Sequence, residues 1–460
     1  MSSRRSNKQY ESLSMPQTRQ MHLGAFLMSV GHHAAGWRMP GVDPSNTMSL
    51  AYYKKLAQSA EAGKFDLIFF ADRLAISDRY DNRFDTTVRY LAQARPEPIS
   101  LLGALGAVTD KIGLAATAST TYNEPFFVAR AFATLDHLTN GRIAWNIVTS
   151  TNDGEALNFS KQQHLEHETR YGRAREFIDV VTRLWDSWED QALVLDQENG
   201  IYADPSRVHY LHHQGDWFNV RGPLNVTRPP QGHPVLIQAG SSDTGRDFAA
   251  QTAEVIFSSQ PEIEAARAFR EDMQARVQKY GRSAQSIKIL PGVMPIIGAT
   301  QAQAEEKLRH LEDLVHPLGG LALLSDSMNH DLSVYPLDEP LPELPDMRGN
   351  QSRYKLVQEI SRRDKLSLRQ LGKRFGGSRS HRVIAGTPQQ IADNFALWFN
   401  SGACDGFNLM PAYLPDGLTE FVEQVVPLLQ ERGLFRREYE GDTLRQHLGL
   451  ARPPNRFSAA

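Results

Sequence analysis

The sequence predicts an α/β protein whose core is a (β/α)8 TIM barrel with large insertions near 188–233 and 316–385. Eight short apolar segments alternate with amphipathic helical segments along the 460 residues, which indicates parallel strands joined by helical crossovers. The strand segments are apolar on both faces, as buried parallel strands are. No glycine-rich dinucleotide fingerprint follows the first strand, so the pattern favours a closed barrel over an open nucleotide-binding sheet.

The predicted elements follow one another in a regular order. We predict strands over residues 22–28, 66–71, 112–117, 142–149, 234–239, 254–258, 287–298 and 405–411. We predict helices over 49–63, 98–108, 126–139, 166–188, 244–252, 262–280, 301–314 and 418–431. The pair Asn140-Gly141, for example, is a typical stop for the helix that precedes it. Almost every strand is therefore followed by a helix, which is the alternation that a barrel requires.

The chain is longer than its barrel needs to be. A plain barrel of this kind takes about 250 residues, whereas this chain has 460. The surplus falls in the two insertions, the second of which is rich in Pro, Gly and Ser and contains a basic helix near 353–375. We therefore predict one domain over 21–445, flanked by an N-terminal tail over 1–20 and a C-terminal tail over 446–460.

The composition narrows the classes of partner. The 50 basic and 53 acidic residues give a net charge of −3, which does not favour a nucleic acid or an anionic membrane. No apolar run approaches the roughly 20 residues of a membrane-spanning helix, and the polar start of the chain lacks the apolar segment of a secretory signal. Cys404 is the only cysteine, which fits a reducing compartment. We therefore expect a cytoplasmic protein with no nucleic-acid or membrane partner.

Three polar residues mark the carboxyl ends of the strands, where a barrel of this kind carries its functional site. Asp72 closes the second strand, Thr117 closes the third, and Asn146 lies inside the fourth. Each also has a purely structural interpretation, as a helix cap or a turn residue. Asn146 is the least easily explained in that way, because a buried amide inside a strand needs hydrogen-bond partners. A ligand is one source of such partners.

The helix at 166–188 carries a stripe of apolar residues at helical spacing, consisting of Ala174, Ile178, Val181, Trp185 and Trp188. Extending this stripe backward by whole turns leads to Tyr171 and His167. The amino-terminal end of a barrel helix adjoins the carboxyl ends of the strands, so both side chains are expected to face the mouth of the barrel. The alternative is that they close the core, with the histidine bonded to a backbone carbonyl.

The segment AGSSDTGRDF (239–248) joins a strand to a helix and indicates a phosphate site. Exposed backbone N–H groups at the start of a helix, together with the hydroxyls of Ser241 and Ser242, suit a phosphate group. Arg246 and Asp247 stand where a nucleotide-triphosphate loop would need Lys and Ser or Thr. The pattern therefore favours a simpler phosphate, such as that of flavin mononucleotide (FMN), with a well-capped helix as the alternative.

Fifteen histidines raise the alternative of a metal-dependent barrel hydrolase. Such enzymes resemble one another in an H-x-H motif at the end of the first strand, but here His22 stands at the start of that strand. The HEXXH motif and the G-x-S-x-G serine motif are absent from the sequence as well. The sequence therefore assigns no metal ligand, and the hydrolase stays an alternative.

Six blocks of sequence resemble the flavin-dependent monooxygenases of the bacterial-luciferase-like superfamily. The blocks are FFADR (69–73), STTYNEPF (119–126), GRIAWNIVTSTNDGEALNF (141–159), HETRYGRAREF (167–177), QAGSSDTGRDFAA (238–250) and GACDGFNLMP (402–411). They are most similar to the branch that contains nitrilotriacetate and dibenzothiophene-sulfone monooxygenases, and the similarity runs from about 21 to 445. The resemblance implies a barrel that uses reduced FMN and O2, and a separate NAD(P)H:flavin reductase that supplies the reduced flavin.

The resemblance also assigns individual residues. By motif it implies flavin contacts at seven positions, which are Asp72, Thr117, Asn146, His167, Tyr171, Ser241 and Ser242. We expect the two serines and the tyrosine to hold the phosphate end, and Asp72, Thr117 and Asn146 to line the ring and the ribityl chain. We predict that His32 and His33, in the first loop, are catalytic, because histidine donates hydrogen bonds and transfers protons near neutral pH. The insertion at 316–385 would then act as a lid that excludes water.

The substrate is the least defined part of the prediction. Phe26, Trp37, Phe70 and Leu323 indicate a largely apolar cavity, which favours a small sulfur-containing, xenobiotic or otherwise apolar organic compound. A homo-oligomer, either a dimer or a tetramer, is expected because such assemblies are common among barrels of this kind. Besides the metal-dependent hydrolase, a non-catalytic flavin-binding relative remains an alternative.

Overall fold

A computed structural model of the chain describes residues 19–240, 242–344, 351–378 and 381–458, with the backbone alone at 351–356 and 378. Ser241 and nearly all of the predicted N-terminal tail lie outside these residues.

Within them the strands are His22–Leu27 (β1), Leu67–Phe70 (β2), Gly113–Ser119 (β3), Ile143–Val148 (β4), Leu193–Asp196 (β5), Ile201–Ala203 (β6), His213–Gln214 (β7), Asn219–Val220 (β8), Val235–Gln238 (β9), Val255–Ser258 (β10), Lys288–Ile297 (β11), Arg382–Gly386 (β12) and Gly406–Leu409 (β13). The helices are Leu50–Ala62 (α1), Asp85–Tyr90 (α2), Pro98–Gly106 (α3), Pro125–Leu138 (α4), Asp153–Asn158 (α5), His167–Asp186 (α6), Asp243–Thr252 (α7), Ile263–Lys279 (α8), Gln301–Asp313 (α9), Pro317–Met328 (α10), Gln351–Asp364 (α11), Leu368–Ser378 (α12), Pro388–Asn400 (α13), Asp416–Gln424 (α14), Val426–Glu431 (α15) and Leu444–His447 (α16).

Eight parallel strands close into a barrel in the order β1, β2, β3, β4, β9, β10, β11 and β13, and β13 pairs again with β1. These are the eight predicted strands, so the predicted (β/α)8 barrel is confirmed. The register places Asn146 of β4 opposite Thr117 of β3. Because all the strands run in the same direction, their carboxyl ends form a single rim, and the loops that follow them meet there.

Three predicted features differ in detail. The basic helix near 353–375 is two helices, because Lys365 adopts a left-handed conformation (φ 49°) between α11 and α12. The helix predicted at 418–431 is also divided, into α14 and α15, where Pro427 supplies no N–H for helical hydrogen bonding. The second insertion ends in a ninth strand of the sheet, β12, which pairs with the second half of β11 beyond the barrel. Helix α13 was missed altogether.

The first insertion contains two small antiparallel sheets, β5–β6 and β7–β8. The chain after residue 445, predicted as a tail, packs as far as residue 458 against this insertion and the barrel. Arg452 forms an ion pair with Asp190 at 2.6 Å, and Asn455 is buried, with its Nδ2 donating to the carbonyl of Asp186 at 2.8 Å. The C-terminal segment therefore fastens the insertion to the barrel. Across the described part of the chain, no helix combines the length and apolar character needed to cross a membrane.

Neighbouring residues on each strand face opposite sides of the barrel wall. On β4, Trp145 faces outward, where it contacts Phe132 and Trp185 of the surrounding helices. Ala144 belongs instead to the cluster of apolar side chains that includes Leu67, Phe69 and Val235. Asn146 is two residues from Ala144 and therefore shares its side of the strand. This alternation places a polar amide inside the barrel.

A buried ion pair closes the opposite, amino-terminal end of the barrel. Asp66 is fully buried, and its carboxylate accepts hydrogen bonds from Leu23 N at 2.7 Å and His22 Nδ1 at 2.9 Å, and pairs with Arg436. Burial acts to raise the pKa of Asp66, but Arg436 and His22 outweigh it, so that the pKa falls to about 2. The carboxylate thus ties the starts of two strands to the C-terminal part of the chain.

Replacing Asp66 by Asn should lower the free energy of unfolding by about 3–5 kcal/mol, because it leaves the buried guanidinium of Arg436 without its counter-ion. Urea denaturation at neutral pH measures this change. The advantage of the wild type should shrink as the pH falls from 3.8 toward about 2, since a carboxylate with a depressed pKa stabilises the fold only while it is ionised. As a control, Asp85→Asn in the exposed pair with Arg83 should leave stability nearly unchanged. Equal effects of the two substitutions would contradict the assignment.

Candidate active site

A cavity of about 940 Å³ opens at the carboxyl rim of the barrel. Its walls come from the loops that follow β1, β2, β4, β9 and β13, from the start of α6 and from α10. Representative lining residues, one from each of these regions, are Met28, Asp72, Ser150, Gly240, Met410, His167 and Leu323. The volume lies within the range of roughly 300–1,000 Å³ found for ligand and cofactor sites.

One end of the cavity is formed by the start of α7. Ser242 caps this helix by accepting a hydrogen bond from Gly245 N at 3.1 Å, and the hydroxyl of Tyr171 also lies beside Gly245. A Cβ at Gly245 would lie 3.0 Å from both hydroxyl oxygens, so the absence of a side chain there allows the two groups to converge. Tyr171 and Ser242 both line the cavity, as their motifs predict.

Two predicted residues lie in the wall of the barrel beneath the cavity. Thr117 donates to the carbonyl of Phe70 at 3.0 Å, and Asn146 Nδ2 donates to Thr117 Oγ1 at 2.9 Å. Both side chains are buried, and the Oδ1 of Asn146 accepts no hydrogen bond from any residue that the structure describes. A buried acceptor without a donor is costly, so this oxygen is suited to receive a hydrogen bond from a ligand.

Asp72 lies on the rim after β2, partly buried, with its Oδ1 accepting a hydrogen bond from Arg73 N at 2.8 Å. Burial raises the pKa of Asp72, while the hydrogen bond from Arg73 and the charge of Arg95 oppose that rise. His167 also lines the cavity, but 44% of its side chain is exposed and its Nδ1 lies 3.2 Å from Glu168 Oε1. Of the predicted flavin residues that the structure describes, Asp72, His167, Tyr171 and Ser242 therefore line the cavity, whereas Thr117 and Asn146 do not.

The two adjacent histidines of the first loop have different surroundings. His32 is buried and lines the cavity, and its Nε2 donates to the carbonyl of Phe26 at 3.0 Å. The structure does not bring His33 to this cavity: its Nδ1 accepts a hydrogen bond from Ala35 N at 3.2 Å, and its ring approaches Gly377 of α12. Because adjacent residues point in different directions, the pair supplies one side chain to the cavity.

Backbone contacts fix the loop that carries His32. His32 N donates to the carbonyl of Pro411 at 2.8 Å, which ties the loop to the segment after β13. Gly31 has a φ of 112°, and a Cβ there would lie 2.4 Å from the carbonyl oxygen of Ala412. Only glycine accommodates this conformation and this close approach. The position of His32 therefore depends on the pairing of the first and last strands.

The predicted apolar lining is only partly found. Phe26 and Leu323 line the cavity, whereas Trp37 lines a separate cavity of about 260 Å³. Phe70 faces outward from β2 and packs against Tyr53, with ring centroids 5.9 Å apart, because its neighbour Phe69 takes the inward position. The prediction failed for Phe70 because strand residues alternate between the two sides of the wall.

Sequence reasoning also missed charged and polar residues of the lining, including Arg73, Arg95, His164, Arg170 and Gln238. Arg170 is buried and donates to the carbonyl of Ser150. Arg170 lies directly before Tyr171 in the motif HETRYGRAREF, and this position in the motif could have identified it. It was missed because extending the apolar stripe of α6 by whole helical turns leads to Tyr171 and His167 and not to Arg170. Burial lowers the pKa of His164, and the charge of Arg170 adds to this effect.

The histidines of the described ranges form no metal centre with the acidic residues or the cysteine, since no group of three or more such side chains is suitably placed. Cys404 is buried, and burial raises the pKa of its thiol to about 12. A thiol with such a pKa is protonated at neutral pH and is a poor nucleophile.

Comparison with known proteins gives a consistent result. The luciferase-like monooxygenase family matches residues 21–404. The chain is 50% identical over 443 residues to N-acetyl-S-(2-succino)cysteine monooxygenase of Bacillus subtilis (strain 168), covering 96% of this chain and 99% of the relative. It is 48% identical over 447 residues to nitrilotriacetate monooxygenase component A of Aminobacter aminovorans, with coverage of 96% and 99%.

Among solved structures, a riboflavin lyase crystallised with modified FMN and riboflavin superposes with a TM-score of 0.84 at 32% identity, covering 94% of this chain and 96% of that one. Extensive identity and a shared fold agree with the motifs read from the sequence. The chain therefore belongs to the luciferase-like monooxygenase family, and the prediction of a flavin-dependent monooxygenase is confirmed.

Proposed function

We propose that this chain uses reduced FMN and O2 to insert one oxygen atom into a small organic compound, with the reduced flavin supplied by a separate NAD(P)H:flavin reductase. The observation that carries the proposal is the convergence of the Tyr171 and Ser242 hydroxyls on the start of α7, at one end of a cavity of about 940 Å³.

The start of α7 suits the phosphate of FMN. Hydroxyl donors and the positive end of a helix dipole both stabilise a phosphate group. The close approach of both hydroxyls to Gly245 brings the two groups to one point. We assign Tyr171 and Ser242 to the phosphate and retain Ser241, outside the described residues, as a prediction for the same end. His167 would border this end from the first turn of α6.

The rest of the flavin would extend over the mouth of the barrel. Asp72 would face it from the rim, and Thr117 with Asn146 would support it from the wall, where the Oδ1 of Asn146 offers an unused acceptor among the described groups. Bound reduced FMN supplies the electrons that activate O2. The protein's part is to orient the flavin and the substrate, to exclude water and to hold protons in place.

His32 is the residue placed to hold or move a proton. A carbonyl can only accept a hydrogen bond, so the contact with Phe26 puts the hydrogen of neutral His32 on Nε2 and leaves Nδ1 as the basic atom. The His32 ring packs edge-on against the ring of Phe26, with the two ring centroids 4.2 Å apart, and this contact restricts the orientation of the histidine. His32 would therefore act at the cavity as a hydrogen-bonding group or as a general acid or base.

The second insertion would keep water from the site. Ala322 and Leu323 of α10 line the cavity, and Asp326 anchors the helix by pairing with Arg73 and accepting from Asn152 Nδ2 at 2.7 Å. Excluding water favours transfer of oxygen to the substrate over side reactions. We propose that α10 is the inner wall of the predicted lid.

The partners follow from the same proposal. The component designation of the nitrilotriacetate relative supports a separate reductase for this chain as well.

The substrate would be a small organic compound, and the names of the relatives favour an aminopolycarboxylate or an organosulfur compound. A dimer or tetramer remains the predicted assembly, which light scattering after size-exclusion chromatography measures directly.

A coupled assay tests the proposal. The purified chain, FMN, NADH, O2 and a generic flavin reductase are combined with nitrilotriacetate, N-acetyl-S-(2-succino)cysteine, dibenzothiophene sulfone or a long-chain alkane. Mass spectrometry then detects oxygenated or cleaved products. We expect product from at least one compound, and only when reductase, NADH and O2 are all present. Failure to bind FMN, or product formation without the reductase and NADH, would contradict the proposal.

Tyr171→Phe should weaken FMN binding about 10-fold or more, because it removes a hydroxyl from the phosphate while preserving the packing of the ring against Phe248. Fluorescence titration of FMN measures the affinity. Tyr202→Phe, in an exposed tyrosine of the first insertion, is the matched control and should have no effect. If Tyr171→Phe and Ser242→Ala both bind FMN like the wild type, the phosphate assignment is wrong.

His32→Leu should lower kcat by about 100-fold or more while FMN affinity changes little, since removing a group that donates or transfers a proton has effects of that size. His32→Gln separates the two roles. If it keeps most of the activity, His32 serves as a hydrogen-bonding group, and if it is as slow as the leucine variant, proton transfer is required. The exposed His310→Asn is the control. Unchanged kcat in both His32 variants would remove His32 from the mechanism.

A further inference from the structure

Arg95 is a cation in the wall of the active-site cavity that the proposed flavin site does not use. It lies in the loop between α2 and α3, partly buried, and lines the cavity together with Asp72, Leu91 and Gln93. In the barrel, β2 is separated from β9 by β3 and β4. Arg95 is therefore on the side of the rim away from the phosphate end, which follows β9.

The other arginines of this region are already engaged. Arg73 pairs with Asp326, Arg79 pairs with Asp153 at 2.8 Å, and Arg170 donates to the carbonyl of Ser150. Arg95 forms no ion pair with any residue in the described ranges, and its one side-chain hydrogen bond there runs from Nε to the carbonyl of Gln93 at 3.5 Å. A guanidinium has five N–H donors, so most of those on Arg95 remain available at the cavity wall.

The charges around Arg95 do not compensate it. Burial lowers the pKa of Arg95, the like charge of Arg73 lowers it further, and Asp72, Tyr53 and Asp326 only partly oppose this. Asp72 influences Arg95 through space without pairing with it, and its own Oδ1 accepts from Arg73 N. A partly desolvated cation of this kind gains most from a planar anion that takes two of its N–H groups at once.

We propose that Arg95 binds a carboxylate of the substrate, so that the compound oxygenated here is an organic acid and not a purely apolar molecule. This inference rests on the proposed oxygenase function and deepens it. The carboxylate would lie against Arg95 on the β2 side of the cavity, and the apolar part of the substrate would lie toward Phe26 and Leu323. Arg95 would thus select the substrate class without taking part in the oxygen chemistry.

The test compares acids with their neutral counterparts. Wild type, Arg95→Met, Arg95→Lys and the exposed control Arg89→Met are loaded with FMN and assayed with N-acetyl-S-(2-succino)cysteine, its trimethyl ester, nitrilotriacetate and dibenzothiophene sulfone. Binding of each compound to the oxidised FMN enzyme is followed by the flavin absorbance, and turnover is followed in the reductase-coupled assay. The affinity of each variant for FMN is measured separately.

We expect the wild type to bind and oxygenate at least one acid and to discriminate against the ester. Arg95→Met should lower kcat/KM for that acid by about 30-fold or more, mainly through KM, because it removes one partner of a buried charge pair. Arg95→Lys should recover part of the loss, since it keeps the charge but not the two-point geometry. Arg89→Met should behave like the wild type, and FMN affinity should be the same in all four proteins.

Three results with the acids, the ester and the sulfone would overturn the inference. They are equal or faster turnover of the ester or the sulfone, full activity of Arg95→Met toward the acid, and no binding of either acid to the FMN-loaded wild type. A loss of FMN affinity in Arg95→Met would instead assign Arg95 to the flavin and would also overturn it. These outcomes are distinct from failure of the proposed function, in which the wild type binds no FMN or oxygenates no compound.

Discussion

Closure of the parallel sheet is the constraint on which the site depends. The pairing of β13 with β1 and of β10 with β11 completes a ring in which all strands point the same way. Residues as distant in sequence as Asp72, Tyr171 and Ser242 therefore meet at one rim. The same closure holds the loop of His32, because its backbone donates to the segment that follows β13. Loss of either pairing would therefore disturb the arrangement of these groups at the rim.

The two ends of the barrel use charge differently. At the amino-terminal end the buried Asp66 is paired with Arg436 and accepts two further hydrogen bonds, so its charge is fully compensated. At the carboxyl end Asp72 has a raised pKa, and Arg95 forms no ion pair with a described residue. A compensated charge stabilises the fold, whereas an uncompensated one favours binding of a ligand. Asp66 thus contributes to the fold, whereas Asp72 and Arg95 are charged groups of the rim that lack an ion-pair partner among the described residues.

The sequence predicted secondary structure well where apolar segments recur along the chain or apolar residues recur with the period of a helix. Eight apolar segments predicted the eight barrel strands, and the stripe on α6 predicted that Tyr171 would reach the mouth of the barrel. The direction of a side chain was harder to predict, because it depends on a single residue of register: Phe70 faces outward beside the inward-facing Phe69, and His33 lies outside the cavity that its neighbour His32 lines. Arg95 could not be found in this way, because it lies in an irregular loop whose path is set by tertiary contacts.

Two groups in and beneath the cavity have hydrogen-bonding capacity that no described residue uses, and they are of opposite kinds. Asn146 offers a buried acceptor beneath the mouth of the barrel, and Arg95 offers donors on the wall beyond Asp72. A buried group left without a partner costs free energy, so a fold retains it where binding of a ligand recovers that cost. The acceptor of Asn146 requires a hydrogen-bond donor, whereas the guanidinium of Arg95 requires an anion. In the proposed function, a flavin with ring N–H groups would meet the first need and the carboxylate of the substrate would meet the second.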